Sequence, residues 1–268
     1  MSTPHFSVIV PTYGRPLGLG EALQSILGQS KQDFEVVVVD DASPIPVTLP
    51  TSDERVRLVR AVSNGGPGAA RNIGVEHAVG RYLAFLDDDD VWLPNRLELA
   101  EAGLAQAPLA ICWQRAGRVG RRLNGNVFDT ILDDEPPQFG AVSLDRSIWK
   151  PIDPSYRQGE DVAWWLDVSR DVLVATIPEV GLEIRSRPDK SGREELGRRL
   201  AGNERILQEF AGYFQTHPKA RAYRMRKSAK WESLLGNRLS AMKWYGRSLA
   251  ANRDPDVMKM AAHALLRR

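Results

Sequence analysis

A single cysteine, Cys112, stands among 268 residues. No intramolecular disulfide framework can form, and such usage fits a reducing compartment. No uninterrupted apolar run approaches the roughly 20 residues that span a bilayer. No basic-then-apolar leader precedes the β-rich run at Phe6, so a signal peptide is not expected and a cytoplasmic location is. Acid is scarce at one end: residues 196–268 hold 5 Asp/Glu against 16 Lys/Arg, a net of +11, which leaves −9 for residues 1–195 of a chain whose total is +2. A basic tail fits a solvated helical surface, an anionic-membrane contact or a nucleic-acid patch, the first being the ordinary case. Apolar residues make up 43% of the chain, enough for a sizeable core.

Short β-rich runs alternate with helical spacing in the first half of the chain. Phe6–Pro11 reads as a strand, followed by a helix on Leu19, Leu23, Ile26 and Leu27. Phe34–Val39 is an unbroken β-branched run, as expected of a strand buried on both faces of a parallel sheet. Val56–Val59 is a third strand, a helix runs from Pro67 to Ala78, and Arg81–Leu86 is a fourth strand. This alternation predicts an α/β sheet covered by helices. Further on, the sequence predicts a helix over Pro94–Ala107, strands at 110–113 and 141–148, a helix carrying Trp164, Trp165 and Val168, and two late strands at 172–177 and 181–184. From about Ser191 the pattern is helical: one helix is marked by Leu196 to Phe214, later ones by Trp231 to Tyr245, and a last one by Met258, Met260, Ala261 and Leu265.

Four carboxylates, Asp87-Asp88-Asp89-Asp90, close the fourth strand. Open α/β sheets bind ligands at the carboxyl ends of their strands. Clustered acids raise one another's pKa, and a hard divalent cation such as Mg²⁺ or Mn²⁺ relieves that cost. The glycine-rich stretch Asn64–Asn72 allows close backbone approach to a ligand, but it lacks the Lys-Ser/Thr ending of a Walker loop.

Five segments in fixed order carry a resemblance: Ser7-Val8-Ile9-Val10-Pro11-Thr12-Tyr13, Val39-Asp40-Asp41-Ala42-Ser43, Gly68-Ala69-Ala70-Arg71-Asn72-Ile73-Gly74, Phe85–Asp90 and Gly159-Glu160-Asp161. Over roughly residues 6–187 the chain resembles a family 2 glycosyltransferase of the GT-A, nucleotide-diphospho-sugar transferase fold. The resemblance implies a mixed, mostly parallel α/β sheet flanked by helices in a domain of residues 1–190, with a basic helical appendage over 191–268. It implies that Pro11, Thr12, Tyr13 and Arg15 border the nucleotide, that Asp41 contacts base or ribose, and that Arg71 approaches the diphosphate. Asp87 and Asp89 align with the Asp-x-Asp metal ligands, Asp88 would reach ribose or sugar, and Asp161 would be the base of an inverting transfer.

Each position has a plainer reading. Tyr13 could pack over the sheet, Asp41 could form an Asx turn before Ser43, Arg71 could lie on the surface, Asp161 could cap its helix, and Trp164 and Trp165 could be core. The partners implied are a nucleotide-diphospho-sugar donor (UDP-, GDP- or dTDP-linked) and a glycan or lipid-linked acceptor hydroxyl, with no nucleic acid and with room for a peripheral membrane contact through the basic tail at the inner membrane face. The processive members' Gln-x-x-Arg-Trp is absent, which argues against a polysaccharide synthase. A binding or scaffold protein without turnover is the competing expectation, since fold alone does not fix activity.

Overall fold

The computed structural model describes residues 3–115, 122–185 and 192–252. The chain divides into two compact units, residues 1–128, 137–155 and 164–186 in the first and residues 129–136, 156–163 and 187–268 in the second.

The first unit is built on one eight-stranded sheet. β1 (Phe6–Thr12), β2 (Phe34–Asp40), β3 (Val56–Arg60) and β4 (Tyr82–Phe85) lie in the order β3-β2-β1-β4, all parallel. Val36, Val37, Val38 and Val39 are fully buried. Successive side chains of a strand point to opposite faces, so both faces of β2 are covered, as the valine run predicts. Helix α1 (Pro16–Leu27) buries Leu19, Ala22, Leu23 and Ile26, and α2 (Pro67–His77) packs on β1 and β2.

Pro11 stands in a central strand, where a missing N–H usually costs a ladder bond. Here β4 pairs with β1 only from Phe6 to Ile9, and the last bond on that side runs from the Leu86 N–H to the Ile9 carbonyl at 3.1 Å. The position that Pro11 leaves without a donor therefore lies beyond the end of β4.

The sheet continues through β7 (Val142–Asp145), β6 (Leu109–Arg115), β8 (Val174–Glu183) and a two-residue strand β5 (Val91–Trp92). β7 is antiparallel to β4 and β6, β8 runs parallel to β6, and β5 is antiparallel to β8. Helix α3 (Arg96–Leu104) packs on β6 and β8. The sequence divides β8 into two strands at Pro178 and Gly181; the structure makes it one. Cys112 pairs with Ile177 and Trp113 with Val180, so Pro178 and Glu179 sit in a bulge and need no ladder partner. The predicted strand at 141–148 narrows to β7, with a 3-10 turn on each side.

Helix α4 (Glu160–Val168) carries the two tryptophans. Both are core: Trp164 and Trp165 are 3% and 1% exposed. The Trp164 indole N–H donates to the Lys150 carbonyl at 3.0 Å and that of Trp165 to the Pro137 carbonyl at 2.8 Å.

The second unit holds α5 (Arg193–Glu209), α6 (Ala211–Thr216), α7 (Pro218–Leu234) and α8 (Arg238–Ala251). The stretch read as one helix from Leu196 to Phe214 is two, parted at Phe210. Buried Asn203 ties α5 to α7 by donating to the Arg224 carbonyl and the Ser228 hydroxyl, both at 2.9 Å. Residues 129–136 lie along α7 as an acidic strap. Asp129 meets His217 at 3.1 Å, Asp133 meets Lys219 at 2.9 Å, and Glu135 takes both Lys227 at 2.8 Å and the Tyr223 hydroxyl at 2.6 Å. The expected last helix at Met258–Leu265 lies outside the described residues.

Candidate active site

The parallel strands β1 to β4 end on one edge of the sheet, and the acidic turn 87–90 leaves β4 there. The Asp90 N–H donates to the Asp87 carbonyl at 3.1 Å and closes that turn. Its geometry sorts four identical residues. The Asp87 and Asp89 side chains are 32% and 30% exposed, whereas Asp88 and Asp90 are 3% and 5% exposed. Asp88 therefore points inward. It accepts from the Thr12 hydroxyl at 2.7 Å and from Arg15 at 3.0 Å. Burial raises its carboxyl pKa, with Thr12 and Arg15 working against that rise. The same guanidinium nitrogen of Arg15 also reaches Asp89 at 3.1 Å. Gly18 lets α1 approach the turn, since a Cβ there would stand 2.4 Å from the Asp88 carbonyl oxygen.

Arg71 is 4% exposed, not a surface residue. Its Nη2 donates to Asp87 at 2.6 Å, and its guanidinium lies 4.3 Å from the centre of the Phe139 ring. A planar cation fixed by one carboxylate and one aromatic face keeps its orientation, which suits bidentate recognition of phosphate oxygens.

Asp41 is held from behind by the Gly65 and Gly66 amides, each donating to one carboxylate oxygen at 2.8 Å. Gly66 has φ 84, in the left-handed region that favours glycine. The glycines of the 64–72 stretch thus clamp an acid, a role that sequence reasoning did not assign to them. The Asx-type contact expected of Asp41 belongs to Asp40, which accepts from the Ser43 N–H at 2.9 Å and the Val47 N–H at 3.2 Å and pairs with Arg60. Ala42 between them has φ 57, a conformation rare outside glycine. Tyr13 is 47% exposed at the end of β1. Nearly half of its surface is therefore accessible. Pro11 is buried in β1 beneath that end.

One edge of the first unit therefore gathers Pro11, Thr12, Tyr13, Arg15, Asp41, Arg71 and Asp87 to Asp89. Ser43 and Asp90, which stand in the quoted segments without an assigned role, join them, as do Arg60 and Phe139, unforeseen from sequence. Of the last two only Arg60 had a readable signal: it closes β3 directly opposite Asp40. Asp161 belongs to the second unit, half-buried in the first turn of α4, where its carboxylate accepts from the Val162 N–H at 2.8 Å.

Among the described residues no three His, Cys, Asp or Glu side chains gather to hold an ion by themselves. The donor set still fits a hard cation of the Mg²⁺ or Mn²⁺ kind. Such ions are commonly held by one or two carboxylates and complete their shell with water and substrate phosphates, and Asp87 and Asp89 are two outward carboxylates beside Arg71.

Asp90 carries a testable electrostatic cost. Burial, and next the Asp87 charge, push its carboxyl up to about 7. An unfolded aspartate ionises near ~4, so the folded state binds the extra proton between those values. Stability then falls as pH rises through that window, and the cost is fully present above it. In chelator, Asp90→Asn should melt several degrees above the parent at about pH 8 and level with it below about pH 4. A difference in melting temperature that does not change with pH would refute this assignment.

The profile of the family described as Glycosyl transferase family 2 matches residues 7–138. A putative teichuronic acid biosynthesis glycosyltransferase of Bacillus subtilis, TuaG, is 39% identical over 188 residues, which cover 64% of this chain and 75% of that protein. This chain belongs to glycosyl transferase family 2. Two solved structures show the same GT-A fold. S. aureus TarS (1-349) superposes with a TM-score of 0.65 at 20% identity, covering 96% of this chain and 82% of that one. The mannosyltransferase PcManGT of Pyrobaculum calidifontis, solved with GDP-Man and Mn²⁺, gives 0.63 at 19% identity, covering 99% and 81%. The chain spans only 29% of the length of a Rickettsia bellii relative, an uncharacterized glycosyltransferase 29% identical to it. No helix among the described residues is long and apolar enough to cross a membrane.

Proposed function

We propose that the protein is an inverting, metal-dependent glycosyltransferase that moves a sugar from a nucleotide diphosphate to an acceptor hydroxyl in cell-surface glycan synthesis. The observation that carries this reading is the arrangement of Arg71, outward Asp87 and Asp89, and amide-clamped Asp41 on one sheet edge. Tyr13 offers a face for the base, and Asp41 an acceptor for base or ribose N–H or O–H groups. Asp87 and Asp89 would hold Mn²⁺ or Mg²⁺, which supplies positive charge to a departing diphosphate. Arg71 adds a fixed cation for the same oxygens. Asp161 takes the proton from the acceptor hydroxyl as it attacks the face opposite the leaving group, and the inversion follows from that single displacement. The name of TuaG and the GDP-Man and Mn²⁺ of PcManGT support the donor and polymer class, and a lipid-linked acceptor would bring the protein to the inner membrane face as a peripheral protein.

Titration calorimetry with nucleoside diphosphates, with and without Mn²⁺, tests the donor site. Metal-dependent binding of one nucleotide is expected, and Asp89→Ala should abolish the Mn²⁺-dependent part. An unchanged isotherm in that variant removes the assigned metal site.

A further inference from the structure

The basic excess of the tail is concentrated on two helices. α7 and α8 carry nine Lys/Arg and one acid, Glu232. Glu232 is 8% exposed and is occupied by the Asn237 amide and the Ser240 hydroxyl. Neither helix therefore presents an exposed acid of its own, and among the described residues Glu204 of α5 lies within electrostatic reach of Arg247. The acidic strap takes Lys219 and Lys227, whereas Arg221, Lys230, Arg238, Lys243 and Arg247 remain exposed.

The apolar residues of this surface are placed with the cations. Leu239, Lys243 and Arg247 follow one another at i, i+4 and i+8 and share one face of α8. That face points to solvent, and Leu239 on it is 83% exposed. Leu234 at the end of α7 is 39% exposed. Trp244 carries the Arg247 guanidinium 5.0 Å from its ring centre, and Trp231 carries the Lys227 ammonium at 5.2 Å. Exposed cations, an aliphatic tip and half-buried indoles make up the chemistry that meets an anionic lipid surface: the cations take phosphates, the indoles suit the headgroup level, and the leucine enters the acyl boundary. A nucleic-acid backbone would use the cations equally, but it gives an outward leucine nothing to bury against.

We propose that the outer face of the α7–α8 hairpin docks on an anionic bilayer, with Lys230, Lys243 and Arg247 against lipid phosphates and Leu239 below them. This deepens the reading of a lipid-linked acceptor and rests on it for its purpose, while the docking chemistry rests on α7 and α8 alone.

The test is co-sedimentation of the whole chain with vesicles of phosphatidylcholine, with and without added phosphatidylglycerol. The protein is expected to sediment only with the anionic vesicles and to be released by salt, since exposed charges are screened. The double variant Lys243→Glu/Arg247→Glu should partition on the order of 100-fold more weakly, from about fivefold per lost charge and the added repulsion. Leu239→Ser should weaken partitioning roughly tenfold at unchanged charge. Circular dichroism and nucleotide binding at parental values show that the variants fold, because none of these residues is assigned to the donor. No sedimentation of the parent with anionic vesicles, equal sedimentation with both kinds, or parental binding by the double variant would overturn the proposal. So would an RNA or DNA oligomer that displaces the anionic vesicles. Failure of nucleotide binding in the parent sinks the transferase reading and leaves the vesicle result standing, so the two fail separately.

Discussion

Asp161→Asn is expected to bind nucleotide and Mn²⁺ as the parent does and to transfer sugar on the order of 10² to 10⁴ times more slowly, the range of a lost general base. The substitution is isosteric. It keeps an oxygen acceptor for the Val162 N–H at 2.8 Å, and parental circular dichroism shows that the variant folds. The rival account of this residue is that its carboxylate only serves the helix terminus, an effect of about 0.3–1 kcal/mol at an exposed end. That account predicts a slightly lower melting temperature and full turnover. Steady-state transfer to a soluble acceptor, followed across pH, separates the two. The parent should lose activity as the base protonates on the acid side, and the Asn variant should be slow and flat there. Parental kcat in Asp161→Asn would end the assignment, whatever its melting temperature.

The parallel half of the fold was legible because its signals are local. The valine run of β2, the apolar run ending in four acids, and Pro67 at the first turn of α2 each act within a few residues. The bulge in β8 was not legible, since Pro178 and Gly181 carry a turn signal that only pairing with β6 overrides. Within the site, sequence identified which acids stand at the strand ends but not which way they point. Asp87 to Asp90 have no pattern of their own, and the turn closed by the Asp90 N–H sends two outward and two inward. The clamp on Asp41 joins residues 24 and 25 positions apart through backbone amides, which leave no mark on side-chain identity. The tryptophans beside Glu160 and Asp161 stayed ambiguous for a related reason: an aromatic pair has the same appearance in sequence whether its indole N–H groups find carbonyls inside or a sugar outside.

Arg71→Ala should lower kcat/KM for transfer by on the order of 10² to 10³, the usual cost of one fixed donor to developing negative charge. The structure gives two reasons to expect the upper part of that range. Arg71 is 4% exposed, so no water compensates at once for the lost charge. Its 2.6 Å bond also orients Asp87, so the truncation frees one of the two carboxylates assigned to the metal. Arg71→Lys separates these contributions. It keeps a positive charge but loses the planar fork and the stacking on Phe139 seen at 4.3 Å. If the fixed fork matters, the Lys variant recovers only part of the rate and its KM for the donor stays raised. If charge alone matters, Lys restores the parent. A pure packing role for Arg71 makes a third, distinct forecast: Ala and Lys both lower the melting temperature, while nucleotide affinity and kcat/KM of the folded fraction stay at parental values. Measuring melting temperature, nucleotide affinity and kcat/KM on the same preparations decides among the three, and that last pattern would remove Arg71 from the diphosphate site.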